Sequence, residues 1–142
     1  MTASHLLAID GSEPSARAVE QAMTDAVSRQ QTPHLHLLNV QPALPPDVTR
    51  FIDAETIADF QREAGERALA AAKARLTASG LAFSAHILVG EAAPLIVAFA
   101  EQQGCSQIIM GARGFGSVVG MFMGSVTVKV VHLSPVPVLL VK

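Results

Sequence analysis

Five short, mainly apolar runs separated by stretches of helical periodicity constrain this chain more than any other feature. The runs are Leu6–Ile9, Leu35–Val40, Phe83–Val89, Gln107–Met110 and Val136–Val141. The first is apolar without alternation, which is the pattern of a strand buried on both faces. Between the runs, Val19, Ala22, Met23, Ala26 and Val27 recur at the spacing of one helical face, behind Ser12 as a candidate N-cap. A long helix is expected from Asp53 to Ser79, with Ile57, Phe60, Ala64, Ala68, Ala72 and Leu76 inward, Glu63 and Arg67 paired outside, and Gly80 as its terminator. Further helices are expected over Ala92–Gln103, with Leu95, Ile96 and Phe99 inward, and over Gly124–Leu133. Pro42, Pro45 and Pro46 make Gln41–Asp47 a loop. The order β-α-β-α-β-α-β-α-β predicts an α/β fold with right-handed crossovers and a parallel sheet covered on both faces. In a doubly wound sheet of this kind, ligands bind at the carboxyl ends of the strands where strand order reverses.

The 142 residues predict a single domain over 1–142, large enough to hold its own core. Half the residues are hydrophobic and 15% are charged, which is a globular composition. The net charge of −2 and the absence of Trp and Tyr argue against a nucleic-acid binder. The charge is uneven. Residues 1–101 carry seven bases and twelve acids, whereas residues 102–142 carry Arg113, Lys129 and Lys142 and no acid. Cys105 is the only cysteine, so no intrachain disulfide can form, and its place before a strand predicts a small buried residue. The first residues lack the charged and apolar regions of a signal peptide, and no run reaches the roughly 18 apolar residues of a membrane span. The expected compartment is the cytoplasm.

Five of the ten glycines fall between Gly111 and Gly124. This stretch follows Ile108–Ile109–Met110 and precedes Val126–Leu133, so it joins a strand to a helix start. Backbone N–H groups in such a loop, with a helix N-terminus behind them, suit phosphate. The segment lies in the basic part of the chain, which favours an anion. No lysine lies between Gly111 and Gly124, so the phosphate-binding loop of nucleoside triphosphatases is excluded. Gly114, Gly116 and Gly120 spell G-x-G-x-x-x-G, but a dinucleotide site places that pattern in the first strand–helix turn, with an acid about 20 residues on. Here it lies in the last such connection, and no acid follows Glu101. A phosphoacceptor receiver needs an acid pair after the first strand, where this chain has Asp10 alone.

The spacing Gly111-x2-Gly114-x9-Gly124–Ser125 resembles the ATP-binding signature of the universal stress protein family. The resemblance extends along the whole chain. Ala8–Ile9–Asp10–Gly11–Ser12, the Gly90–Glu91 turn, Ile108–Gly111 and the closing Pro135–Val141 are all similar to family segments. It implies an open doubly wound, Rossmann-like five-stranded sheet in the order 3-2-1-4-5, with an adenine nucleotide between the first and fourth strands. By the same resemblance, Gly111, Gly114 and Gly124 line the phosphate path. Ser125 donates to phosphate, with Val126 beside it and Thr127 adding a hydroxyl. Asp10 lies near the ribose and a nucleotide-bound Mg²⁺ or Mn²⁺; Ala8 and Ile9 border the nucleoside; Val40 meets adenine through its backbone; Met110 flanks ribose or base. Arg113 stands at a position that varies in the family, within reach of phosphate or solvent. The family also implies a homodimer through the C-terminal strand, Val136–Val141, which is an apolar edge in this order.

The expected function is nucleotide-dependent regulation in a stress response, with an unidentified protein as a possible further partner. The residues offer no complete catalytic set, since Asp10 alone does not position and activate a water. A slow ATPase or nucleotidyl transferase and a nucleotide-independent interaction protein are the alternatives. Three other features have plainer readings. His34 and His36 share a strand face but lack a third metal ligand, His132 suits a helix C-terminus, and Met121–Met123 is an apolar patch serving as core or contact surface.

Overall fold

The computed structural model describes residues 3–114 and 123–142. Gly116, Gly120, Met121 and Phe122, which sequence reading singled out, lie outside the described residues. Five strands, β1 (Ser4–Ala8), β2 (His34–Gln41), β3 (Phe83–Val89), β4 (Gln107–Gly111) and β5 (Val138–Val141), form one parallel sheet in the order β3-β2-β1-β4-β5. The helices are α1 (Glu13–Val27), α2 (Pro46–Thr49), α3 (Ala54–Ser79), α4 (Ala92–Gln102) and α5 (Ser125–Leu133). This is the doubly wound architecture expected from the sequence, and β1 and β4 are neighbours at the point where strand order reverses.

Two cores flank the sheet, and β1 supplies both. Leu6 and Ala8 face α4 and α5, joining Leu38, Ile96, Phe99 and Val130. Leu7 and Ile9 face α1 and α3, joining Leu37, Val19, Leu69 and Leu76. Because a strand alternates its side chains between faces, burial on both sides demands an unbroken apolar run, which is why β1 lacks alternation. The edge strands β3 and β5 are only partly covered.

The structure corrects the sequence reading at four points. Val27 is 70% exposed, so the α1 face is Ala18, Val19, Ala22 and Ala26. In α3 the inner face is Gln61, Gly65, Leu69, Ala72 and Leu76; Ala72 and Leu76 are buried as expected, but toward the N-terminus the stripe falls one position later than Phe60, Ala64 and Ala68, and Phe60 is 55% exposed. Gly65 is the physical reason: a Cβ there would lie 2.7 Å from two carbons of the Ile87 side chain, so the helix seats directly on β3. In a helix this rich in alanine the apolar stripe has little contrast, and close approach selects the face. On α3 the ion pairs are Arg62 with Asp59, Lys73 with Glu66, and Arg75 with Glu20 of α1, rather than Glu63 with Arg67. The proline-rich loop contains α2, a single turn with proline at its start.

Asp53 and Gly80 bracket α3. The Asp53 carboxylate accepts the Thr56 N–H at 2.7 Å, and Gly80 has φ 77° in the left-handed region. Nothing lies within 4 Å of a Cβ built on Gly80, so only backbone strain opposes a side chain there. Gly80→Ala is expected to cost about 1 kcal/mol, seen as a fall of about 3 °C in the thermal midpoint.

Candidate functional site

A cavity of about 420 Å³ opens at the carboxyl ends of β1, β2 and β4, within the usual size of a small-ligand pocket. The sequence-derived residues converge on it from four places. Ala8, Ile9 and Asp10 come from the end of β1 and its exit, and Val40 from the end of β2. Met110, Gly111, Arg113 and Gly114 come from β4 and the start of the glycine-rich connection, while Gly124, Ser125, Val126 and Thr127 come from the start of α5. All twelve therefore line one crevice, although up to 119 positions separate them in sequence.

The mouth of β1 is held rigidly. Ile9 donates its N–H to the Leu38 carbonyl at 2.9 Å and accepts the buried Asn39 side-chain amide at 2.8 Å. Asn39 in turn accepts from Gln41 at 2.7 Å. With both polar groups of Ile9 engaged, the peptide leading into Asp10 is fixed. Asp10 Oδ1 accepts the Ser12 N–H at 2.8 Å, so the carboxylate stands at the crevice while the chain turns into α1. Across the crevice, a Cβ built on Gly114 would collide with Asp10 Oδ2. The loop glycine and the carboxylate thus pack directly together.

The N-terminus of α5 closes the opposite wall. Its N-cap is Gly124, which has no side chain with which to cap the first turn, so the leading N–H groups are left to other acceptors. Thr127 is 2% exposed, and its hydroxyl donates to the Gly111 carbonyl at 3.2 Å. In this structure that hydroxyl ties α5 to β4. Ser125 is exposed at the cavity. Arg113 is the one basic side chain on the wall and Asp10 the one acidic side chain, among the described residues.

Five lining residues escaped the sequence reading: Ser15, Leu38, Asn39, Ala92 and Ile96. Asn39 carried a signal, because an amide inside an apolar strand must find buried partners. Ala92 and Ile96 carried none, since only the packing of α4 across β1 and β2 brings them to the crevice. Away from the site, Cys105 is buried as expected, and burial pushes its thiol up to about 11, which suppresses thiolate chemistry. No group of three His, Cys, Asp or Glu among the described residues is arranged to hold a metal ion. No helix among them is long and apolar enough to cross a membrane.

Residues 2–142 match the Universal stress protein family. The chain is 31% identical over 147 residues to the universal stress protein YxiE of Bacillus subtilis, an alignment covering 96% of this chain and 97% of that one. It superposes on the structure of the hypothetical protein MJ0577 with a TM-score of 0.85 at 27% identity, covering 100% of this chain and 96% of the other. It has the same fold as a universal stress protein in complex with cAMP (TM-score 0.72, 24% identity, 99% and 97% covered). The Archaeoglobus fulgidus universal stress protein in complex with dAMP shares it too (TM-score 0.70, 21% identity, 100% and 98% covered). The crevice between β1 and β4, with Gly111, Gly114 and Gly124 on its wall, and the match along nearly the whole chain place this protein in the universal stress protein family.

Proposed function

We propose that residues 1–142 act as one adenine-nucleotide-binding domain, with ATP and its divalent metal as the ligand and regulation rather than turnover as the task. The observation that carries this reading is the crevice itself. It sets an uncapped helix start, two loop glycines and an arginine against a single carboxylate, beside an apolar wall of Ala8, Val40, Ile96 and Met110. The apolar wall suits a base, and the helix start suits phosphate. Proteins of the same fold that hold cAMP and dAMP support the choice of adenine. Mg²⁺ or Mn²⁺ fits through Asp10 and the nucleotide's own phosphates, because such ions are commonly held by one or two carboxylates plus phosphate oxygens. Asp10 is the only carboxylate lining the cavity among the described residues, which suits holding a ligand better than splitting one.

Homodimerisation through Val136–Val141 belongs to the same reading. β5 is a sheet edge with half-buried apolar side chains, and α5 exposes Val128, Val131 and Leu133. A cytoplasmic protein that presents one dimer conformation when loaded and another when empty would need only a difference in nucleotide affinity between the two. The direct test is calorimetric titration of nucleotide-stripped protein with ATP, with and without Mg²⁺. Saturable binding is expected. Asp10→Asn is expected to remove most of the Mg²⁺ dependence while retaining metal-free binding. Absence of ATP binding by the wild type would refute the reading.

A further inference from the structure

The strongest chemistry outside the crevice is a histidine cluster on the α4 side of the sheet. His34 and His36 lie on β2 with ring centroids 4.8 Å apart, and His86 on β3 lies 5.7 Å from His36. His34 Nε2 and Ser84 Oγ are 2.8 Å apart, and His36 Nδ1 faces His86 Nε2 at 3.5 Å. Phe99 of α4 lies over the pair, 5.9 Å from His36 and 4.7 Å from His86 between ring centroids. Phe99 is buried, as is Ile96 one turn earlier on α4, and Ile96 with Ala92 lines the nucleotide crevice. One helix thus lies over the histidines and walls the pocket.

We propose that the His34–His36–His86 cluster is a proton-sensitive element that lowers nucleotide affinity on acidification by displacing Phe99 and with it α4. This rests on the nucleotide reading of the crevice. Two ring nitrogens that face each other can share a proton only while one is unprotonated. When both rings are charged, two N–H groups oppose each other and both cations need water. His36 is 8% exposed, and among the described residues no compensating carboxylate faces it. The elements packed there supply Leu6 from β1, His34 from β2, Ser84 and His86 from β3, and Phe99 from α4, whose only charged residue, Glu101, is exposed. Burial, then repulsion by His34 and His86, holds His36 below the ordinary histidine value. Burial, then His34, does the same for His86. The sign follows. With folded values depressed, stability is full above the ordinary histidine value of about 6.5 and is lost as pH falls through the folded values. His34 and His86 are half-buried and already meet water, whereas His36 is buried with Phe99 packed on its ring, so hydrating a charged His36 lifts Phe99, and Ile96 and Ala92 move with it. Protons and nucleotide then oppose each other reciprocally.

The test compares wild type with His36→Gln/His86→Gln at pH 7.5 and 5.5, with chelator present in the nucleotide-free runs. Nucleotide-free urea unfolding is expected to show a larger acid-induced fall in midpoint for wild type. His5, buried on the opposite face and held low by burial and by Arg29, contributes equally to both proteins. ATP–Mg²⁺ affinity is expected to fall about tenfold more in wild type than in the variant, within the usual range for coupled sites. Comparing the two proteins cancels the nucleotide's own titration. If the double variant does not fold, His86→Gln at the less buried position serves in its place. Identical affinity profiles in both proteins would overturn the coupling, whatever the unfolding curves show. If neither protein binds ATP at pH 7.5, the crevice reading fails and the coupling falls with it, while the unfolding arm still reports whether the cluster senses protons.

Discussion

Gly114→Val is expected to weaken ATP–Mg²⁺ binding by about 100-fold, close to 2.7 kcal/mol, with little change in the unfolding midpoint. The backbone at Gly114 is not in the left-handed region, so any residue could adopt its conformation. What excludes a side chain is Asp10. The added Cβ would fall on Asp10 Oδ2 and within 3.4 Å of Cγ. The carboxylate must swing away, and the valine branches then occupy the space between Asp10 and the start of α5. The fold tolerates this because Asp10 is exposed and its neighbours Ile9 and Ser12 remain held by Leu38, Asn39 and the start of α1. Binding should not tolerate it, because in the proposed reading Asp10 holds the metal and Gly114 lines the phosphate path, and both are disturbed together. Calorimetry paired with thermal melts separates the two effects. A variant that binds ATP like wild type would remove the Asp10–Gly114 contact from the site.

The fold was legible because its strands are short, apolar and regularly spaced, so chain order alone carried the topology class. The strand order itself came from the family resemblance, and β1–β4 adjacency agrees with it. Part of the crevice was legible for the same reason: Asp10 and Gly111 sit at strand ends, and Gly124–Ser125 at a helix start. Ala8, Ile9, Val40, Met110 and Thr127 came from the family resemblance, and they line the same cavity. Orientation was not legible. The α3 face depends on how closely Gly65 approaches Ile87, and the contribution of Ala92 and Ile96 depends on where α4 crosses the sheet. The His36–His86 contact depends on strand register. His36 is aligned with Ser84 and Leu38 with His86, a pairing that no local pattern encodes. Sequence reading saw two histidines on one strand and could not supply the third, 50 residues away.

The glycine signature also hides two different requirements, and Gly111→Ala is expected to expose the second. A Cβ built on Gly111 would lie 2.8 Å from both the carbonyl carbon and the Cβ of Pro14, and 2.9 Å from the Ser15 nitrogen. Two of these are backbone atoms at the start of α1, which cannot rotate aside as a side-chain tip can. The helix must back away from β4, against the packing of Ala18, Val19 and Ala22 in the core shared with Leu7 and Ile109. The Gly111 carbonyl also receives the Thr127 hydroxyl, so a shift of this strand end loosens α5 as well. Overpacking of a close-fitted site typically costs 1–3 kcal/mol, and the rigid contact atoms place this substitution at about 3 kcal/mol, or a fall of about 10 °C in the thermal midpoint. One methyl group at Gly111 should therefore be read in the melt, whereas side chains at Gly114 should be read in the titration. A Gly111→Ala protein that melts with wild type would mean that α1 yields at its first turn. Both glycines would then answer to the ligand, and the tight seating of α1 on β4 would have no energetic weight.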